Sequence, residues 1–302
     1  MTAHQPLPDT GPVGVFRGLD HLPVTAVRET AAEIDRLGYG ALWWSESTGR
    51  ETFTQAQTIL GASSRLVAAT GIANIWARDA VATNSAARTL TEMHPGRFLP
   101  GLGVSHAPLV DSLRAEGRIY AKPLTRMAAY LDALDTATYT GHGAELPRPP
   151  RVLAALGPRM LELAREKAEG ALTYLVTPEH TAQARKILGP DRLLAVEQNV
   201  ALTPDRATAL RWGRTRLSFY LRFPNYLNNL KRLGFTDEDC SGEGSDRLLE
   251  ALVAWGDESA IRAAVRAHHE AGADHVCVQV LRESPFDNPL PDLVTLAPAL
   301  LG

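Results

Sequence analysis

The chain has 302 residues, 45% of them hydrophobic and 22% charged, with a formal net charge of -3 at pH 7. That balance excludes the basic surface that nucleic acid or an acidic membrane requires. No apolar run approaches the ~20 residues of a membrane span, and the opening MTAHQPLPDTGPVG lacks a signal peptide's basic and apolar regions, so a cytoplasmic protein is expected.

From end to end, short apolar runs alternate with amphipathic segments. The first run, GVF (14–16), precedes VTAVRETAAEIDRLGYG, in which Val24, Val27, Ala31, Ile34 and Leu37 recur at helical spacing before a glycine stop. ALWWS (41–45), RLVAATGIANI (65–75) and RFLPGLGVS (97–105) follow, then RVLAAL (151–156), GALTYLV (170–176), RLLAVEQNVAL (192–202) and HVCVQVL (275–281). Continuous apolar strands of this kind are buried on both faces of a parallel sheet. Eight strands with a helix between nearly every pair predict a single-domain (β/α)8 TIM barrel over 1–302. The rival, a doubly wound sheet, lacks its dinucleotide mark, because GLGVSH has no third glycine. Two stretches exceed the regular repeat: 104–150 after strand four, and 218–248 in the seventh β/α unit. Their aromatic and leucine content predicts packed structure.

Barrel chemistry sits where strands end. Strand two ends Ser45-Glu46-Ser47, strand three carries Gly71-Ile72, strand four ends Gly103-Val104-Ser105-His106, and strand five ends Leu156-Gly157-Pro158-Arg159. Each has an ordinary alternative: Glu46 could be a cap or an ion pair, and His106 a structural histidine. Glycines 71, 101 and 103 on adjacent strands suggest that something flat lies against that side of the mouth. At the fifth strand, Pro158 suits the first helical position, and the amides of Gly157, Arg159 and Met160 are expected to be free at the positive end of the helix dipole. With the Arg159 charge they suggest an anion site for phosphate, the alternative being an ordinary helix start. LVTPEH also opens a helix, but Glu179 already occupies that first turn. Other signals fail. DEDCSGEGSDRL has Leu248 where a calcium loop needs glutamate. His268-His269 is expected to be solvated, no cluster has metal-ligand spacing, and the distant Cys240 and Cys277 are expected to stay reduced.

GYGALWWSES, LVAATGIANIW, HPGRFLPGLGVSHAPLV, LAALGPRMLELAREKAEGA, VTPEHTAQARKILGP and ALVAWGDESAIRAAVRAHHEAGADHV together resemble the bacterial luciferase-like (β/α)8 superfamily, in its actinobacterial branch of coenzyme F420 (deazaflavin)-dependent oxidoreductases. The resemblance implies a homodimer whose barrel mouth binds the cofactor. Its phosphate would lie at Leu156, Gly157, Arg159 and Met160, and its ring near Ser45, Glu46, Ser47, Thr70, Gly71, Ile72, Gly103 and Ser105, with a cis peptide at Gly71-Ile72. Ser47 falls where related sugar-phosphate dehydrogenases have a catalytic histidine, and His106 where they have a catalytic carboxylate. Sugar-phosphate oxidation is therefore not expected, and His106 becomes the leading proton carrier, with Glu46 next. The implied reaction is hydride transfer between F420 and a small organic substrate carrying an activated C=C or C=O. A monooxygenase using FMN, oxygen and a partner reductase is the alternative, and a flavin-binding barrel without catalysis a third.

Overall fold

The computed structural model describes residues 4–113 and 120–302. Its elements run β1 (Val13–Phe16), α1 (Val24–Leu37), β2 (Ala41–Trp44), α2 (Thr52–Leu60), β3 (Val67–Thr70), β4 (Ala73–Asn74), α3 (Ala80–Met93), β5 (Phe98–Leu99) and β6 (Gly101–Gly103). There follow α4 (Ala107–Leu113), α5 (Pro123–Thr136), β7 (Val152–Ala154), α6 (Pro158–Lys167), β8 (Gly170–Thr173), α7 (Pro178–Leu188) and β9 (Leu193–Leu202). The chain ends with α8 (Arg206–Tyr220), α9 (Pro224–Arg232), α10 (Asp246–Leu252), β10 (Val253–Gly256), α11 (Glu258–Glu270), β11 (His275–Val280) and α12 (Leu290–Leu301).

Among the described residues every ladder between these strands is parallel, in the order β4-β6-β7-β8-β9-β11-β1-β2-β3-β5. The ends of that list meet, because β3 and β4 are one strand interrupted at Gly71-Ile72, and β5 and β6 are one strand interrupted at Pro100. The sheet therefore closes as eight staves, the (β/α)8 barrel the alternation predicts. Proline has no N–H for the ladder, so the fourth stave must break at Pro100. The buried Thr70 hydroxyl spans the gap, bonding both the N–H and the C=O of Gly101 at 2.8 Å. β10, which the sequence reading does not foresee, adds a short pairing to the C-terminal half of β9.

Alternation along each stave sorts the side chains into two layers. Trp43 packs inside the barrel with Phe16, Leu99 and Leu172, whereas Trp44 packs outside among Leu19, Ile34 and Ile59 beneath the helices. α1 buries Val27, Ala31 and Ile34 as its spacing predicts, but Val24 at its first turn stays 46% exposed. A third apolar cluster, including Leu217, Phe223 and Leu249, holds α8, α9 and α10 together over the seventh stave. The long segment after β6 carries α4 and α5; its residues 114–119 lie outside the described residues.

One expectation is corrected. His268 is fully buried rather than solvated, with Nδ1 at 2.8 Å from Thr181 Oγ1 and Nε2 at 2.8 Å from Gln198 Oε1. A helix surface histidine became a tie between α11, α7 and β9. Two of the three mouth glycines also have a local steric cause, whatever lies against them: a Cβ at Gly101 would sit 2.0 Å from Thr70 O, and one at Gly103 2.3 Å from Ile72 Cγ1. The third and fourth staves cross so closely that only glycine fits.

Candidate active site

The C-terminal ends of the staves open on a pocket of about 410 Å³. Ser45, Glu46 and Ser47 line it from the end of β2, and Gly71 and Ile72 from the break in the third stave. The Gly71-Ile72 peptide is cis, as the sequence resemblance implied. Gly103 ends β6, and Ser105 and His106 follow it; Leu156, Gly157 and Met160 come from the junction between β7 and α6. Of the residues picked out from sequence, Thr70 and the Arg159 side chain lie elsewhere. Thr70 is buried behind the pocket on Gly101, and Arg159 is exposed and outside the lining.

The start of α6 keeps most of the expected anion geometry. Gly157 is the N-cap without a capping side chain, Pro158 occupies the first turn, and no acidic residue stands there. Among the described residues, the N–H groups of Gly157 and Arg159 have no acceptor, whereas Met160 N–H bonds Gly157 O at 3.1 Å. So two free amides, not three, meet the positive end of the dipole. The full charge comes from another element: Arg232, at the end of α9, lines the pocket with Nη2 3.6 Å from where a Cβ on Gly157 would lie. Local sequence held no sign of this, because 75 positions of chain separate the two.

His106 is fixed by the insertion in the seventh unit. Its ring stacks on Phe223 with centroids 4.2 Å apart and 6° between planes, and Tyr226 lies 5.5 Å away. Burial lowers its pKa below the ordinary histidine value, only partly opposed by a hydrogen bond to Asn225. The imidazole is therefore neutral at pH 7. Glu46 takes the ordinary alternative. Its Oε2 accepts from Asn74 N–H at 2.7 Å and from Arg78 Nη1 at 2.9 Å, and Arg78 Nη2 holds Oε1 and reaches Glu51 at 3.0 Å. Both carboxylate oxygens are thus engaged in tying β2 to β4.

Beneath the pocket lies a polar network that sequence reasoning missed. Tyr174 and Tyr220 line the pocket with hydroxyls 3.1 Å apart. Gln279 donates to Tyr174 at 2.7 Å and to Glu197 Oε1 at 3.2 Å, and accepts from Arg216. Leu175 N–H donates to Glu197 Oε2 at 3.1 Å. Burial nevertheless pushes the Glu197 carboxyl up to about 7, against the lowering pull of that N–H and of Arg216. A lone glutamate inside the apolar run LLAVEQNVAL was the available signal.

A parallel (β/α)8 barrel with polar groups converging on a pocket at its C-terminal mouth defines the class, a barrel enzyme. The chain belongs to the luciferase-like monooxygenase family, whose sequence profile matches residues 2–275. It is 24% identical over 234 residues, 64% of this chain and 67% of the relative, to a Mycobacterium tuberculosis protein named for coenzyme F420-dependent oxidoreductase activity. Its fold matches the coenzyme F420-dependent tetrahydromethanopterin reductase of Methanopyrus kandleri with a TM-score of 0.77 at 17% identity, over 96% of this chain and 98% of that one. It also matches an FMN complex of the oxygenating constituent of 3,6-diketocamphane monooxygenase from Pseudomonas putida, with a TM-score of 0.71 at 12% identity, over 95% and 96% of the two chains. Among the described residues no group of His, Cys, Asp and Glu could hold a metal, and no helix is long and apolar enough to cross a membrane.

Proposed function

We propose that this enzyme uses coenzyme F420 to pass a hydride between cofactor and a small organic substrate, with an activated C=C or C=O as the reducible group. The observation that carries the reading is the start of α6, where two free amides, a helix dipole and Arg232 converge without any acidic residue. That cradle fits a phosphate, and Ile72, Leu156 and Leu172 supply apolar surface for a flat ring. When bound, the deazaflavin would supply two electrons as hydride without the oxygen chemistry of a flavin.

The remaining work falls to the chain. Glu46 and Arg78, locked together, brace the stave ends that face the ring. The stacked Phe223 and the tilted Tyr226 fix His106 at the mouth and exclude water from one side of it. As a neutral imidazole, His106 accepts a proton from a substrate hydroxyl in the oxidising direction, and returns it in the reducing direction. Dimerisation follows the family resemblance and belongs to this proposal.

The test is a fluorescence titration with F420 and, separately, with FMN. F420 is expected to bind more tightly. Arg232→Ala should weaken it by about 1–3 kcal/mol, the range for a charge-assisted hydrogen bond, and Arg159→Ala by much less. Preference for FMN, with oxygen consumed by the reduced complex, would replace this reading with the monooxygenase one. An Arg159 effect larger than that of Arg232 would return the phosphate charge to α6.

A further inference from the structure

A second cavity, of about 270 Å³, lies beside the first between the ends of β1 and β11 and the face of α8. The two share Phe16, Phe219 and Tyr220 as a common wall. Arg17, the residue that follows β1, lines the second cavity and is only 6% exposed. Its guanidinium makes one side-chain hydrogen bond, from Nη1 to Asn288 Oδ1 at 3.3 Å, and no carboxylate among the described residues forms an ion pair with it. A buried guanidinium with five donors and no counter-ion is costly, because charge is removed from water without compensation. Desolvation alone lowers its pKa to about 10.

The other charges around the cavity do not supply the missing anion. Arg282 is already paired with Asp292 at 2.7 Å. Asp287 accepts from Ser284 N–H at 2.9 Å and forms no ion pair with Arg17. Arg216 adds a second guanidinium, which donates to Gln279, and Gln279 in turn donates to Glu197. The cavity thus offers cationic donors with aromatic surface beside them.

We infer that this cavity is a binding subsite for an anionic oxygen group, a carboxylate or a phosphate ester, with the Arg17 fork as its main partner and the Phe16–Phe219–Tyr220 wall against the ligand's apolar body. The proposed function enters only in calling that ligand the substrate. The redox pocket would then act on organic acids or phosphate esters whose reducible carbon reaches past the shared wall while the anion rests on Arg17. Planar guanidinium geometry matches both anions bidentately.

The subsite is tested on the full chain without cofactor, by calorimetric titration with phenylacetate, 2-phenylethanol and inorganic phosphate. Phenylacetate is expected to bind about ten- to a hundredfold more tightly than the matched alcohol, the span of a charge-assisted pair, and Arg17→Met should erase that preference. If Arg17→Met does not fold, Thr215→Glu, at an exposed position of α8 on the cavity rim, serves instead. Its added carboxylate should repel phenylacetate and leave the alcohol unaffected. Stronger Arg17-dependent binding of phosphate than of phenylacetate would assign the same subsite to phosphate esters. Equal affinity for acid and alcohol with no phosphate binding, or a preference that survives both substitutions, would overturn the inference. Because F420 is absent from these titrations, its failure to bind elsewhere would remove the cofactor reading and leave the subsite standing.

Discussion

His106 illustrates how a side chain's chemistry is set by neighbours distant in sequence. In isolation it would titrate near pH 6.5, but stacking on Phe223 and enclosure by Tyr226 favour its neutral form. If it manages the proton, His106→Ala should lower turnover by about 10²–10⁴, the usual value of general acid–base help. His106→Gln should lose as much, since an amide keeps hydrogen bonding and cannot shuttle a proton. Oxidation by the parent enzyme should fall off only below the ordinary histidine range, where the imidazole finally protonates. Single-turnover hydride transfer across pH checks this. Parental rates and an unchanged profile in both variants would make His106 structural. Glu46, the next residue in line, is already committed to Arg78 and Asn74, so the proton would have to come from Tyr174 or Tyr220 at the pocket floor.

Among the elements, α3 connects helix capping to the site. Its N-cap Asp79 accepts from Ala82 N–H at 2.8 Å, and the preceding Arg78 grips Glu46. Fixing the helix start therefore fixes the arginine that braces the stave ends. Asp79→Ala should cost about 1 kcal/mol, within the 0.5–2 kcal/mol range for losing an N-cap. Urea denaturation would measure it, and an unchanged midpoint would show that the cap adds nothing. The seventh unit makes the same point on a larger scale. α8 brings Tyr220 and Arg216, and α9 brings Arg232 and the Phe223 that opens it; local pattern announces helices there without showing that they fold back over the pocket.

Across the whole molecule, buried titrating groups make stability depend on pH in opposing directions. His275 joins Gly11 O at 2.7 Å through Nδ1 and accepts from Trp43 Nε1 at 3.0 Å through Nε2, an arrangement only the neutral ring satisfies. Burial pushes both His275 and His268 down to about 4. Unfolded, each takes up a proton near 6.5, so their contribution is present above that pH and lost as pH falls toward 4. Glu197, pushed up to about 7, has the reverse sign: it favours the folded state increasingly as pH drops from about 7 to 4.5. Between pH 6.5 and 4.5 these two histidines favour unfolding and Glu197 opposes it, a net loss from the three of about 1.4 kcal/mol per pH unit at most. His106 and His180, also held low by burial, add to that loss with the histidine sign. Glu197→Gln removes the opposing proton and should steepen the slope by about 1.4 kcal/mol per pH unit at most. Urea midpoints from pH 7 to 4.5 in parent and variant test it, and equal slopes would show that Glu197 does not titrate there.

The sequence alone determined the barrel, because eight apolar runs buried on both faces and separated by amphipathic helices have few other ways to hide their surface. It also determined the stave ends, and hence the mouth with Glu46, Gly71, His106 and Gly157, since strand termini follow from the same local pattern. Only the tertiary structure decided which groups act there. It paired Glu46 with Arg78, hid Thr70 behind Gly101, turned Arg159 outward, and brought Arg232 to Gly157 and Phe223 to His106. It also buried His268 and left Arg17 facing a cavity without a counter-ion. The reason is physical: periodicity records whether a side chain faces water or the core, an average over one element. Charge pairing, ring stacking and pKa depend on contacts of a few ångströms between elements tens or hundreds of residues apart, which closure of the barrel brings together.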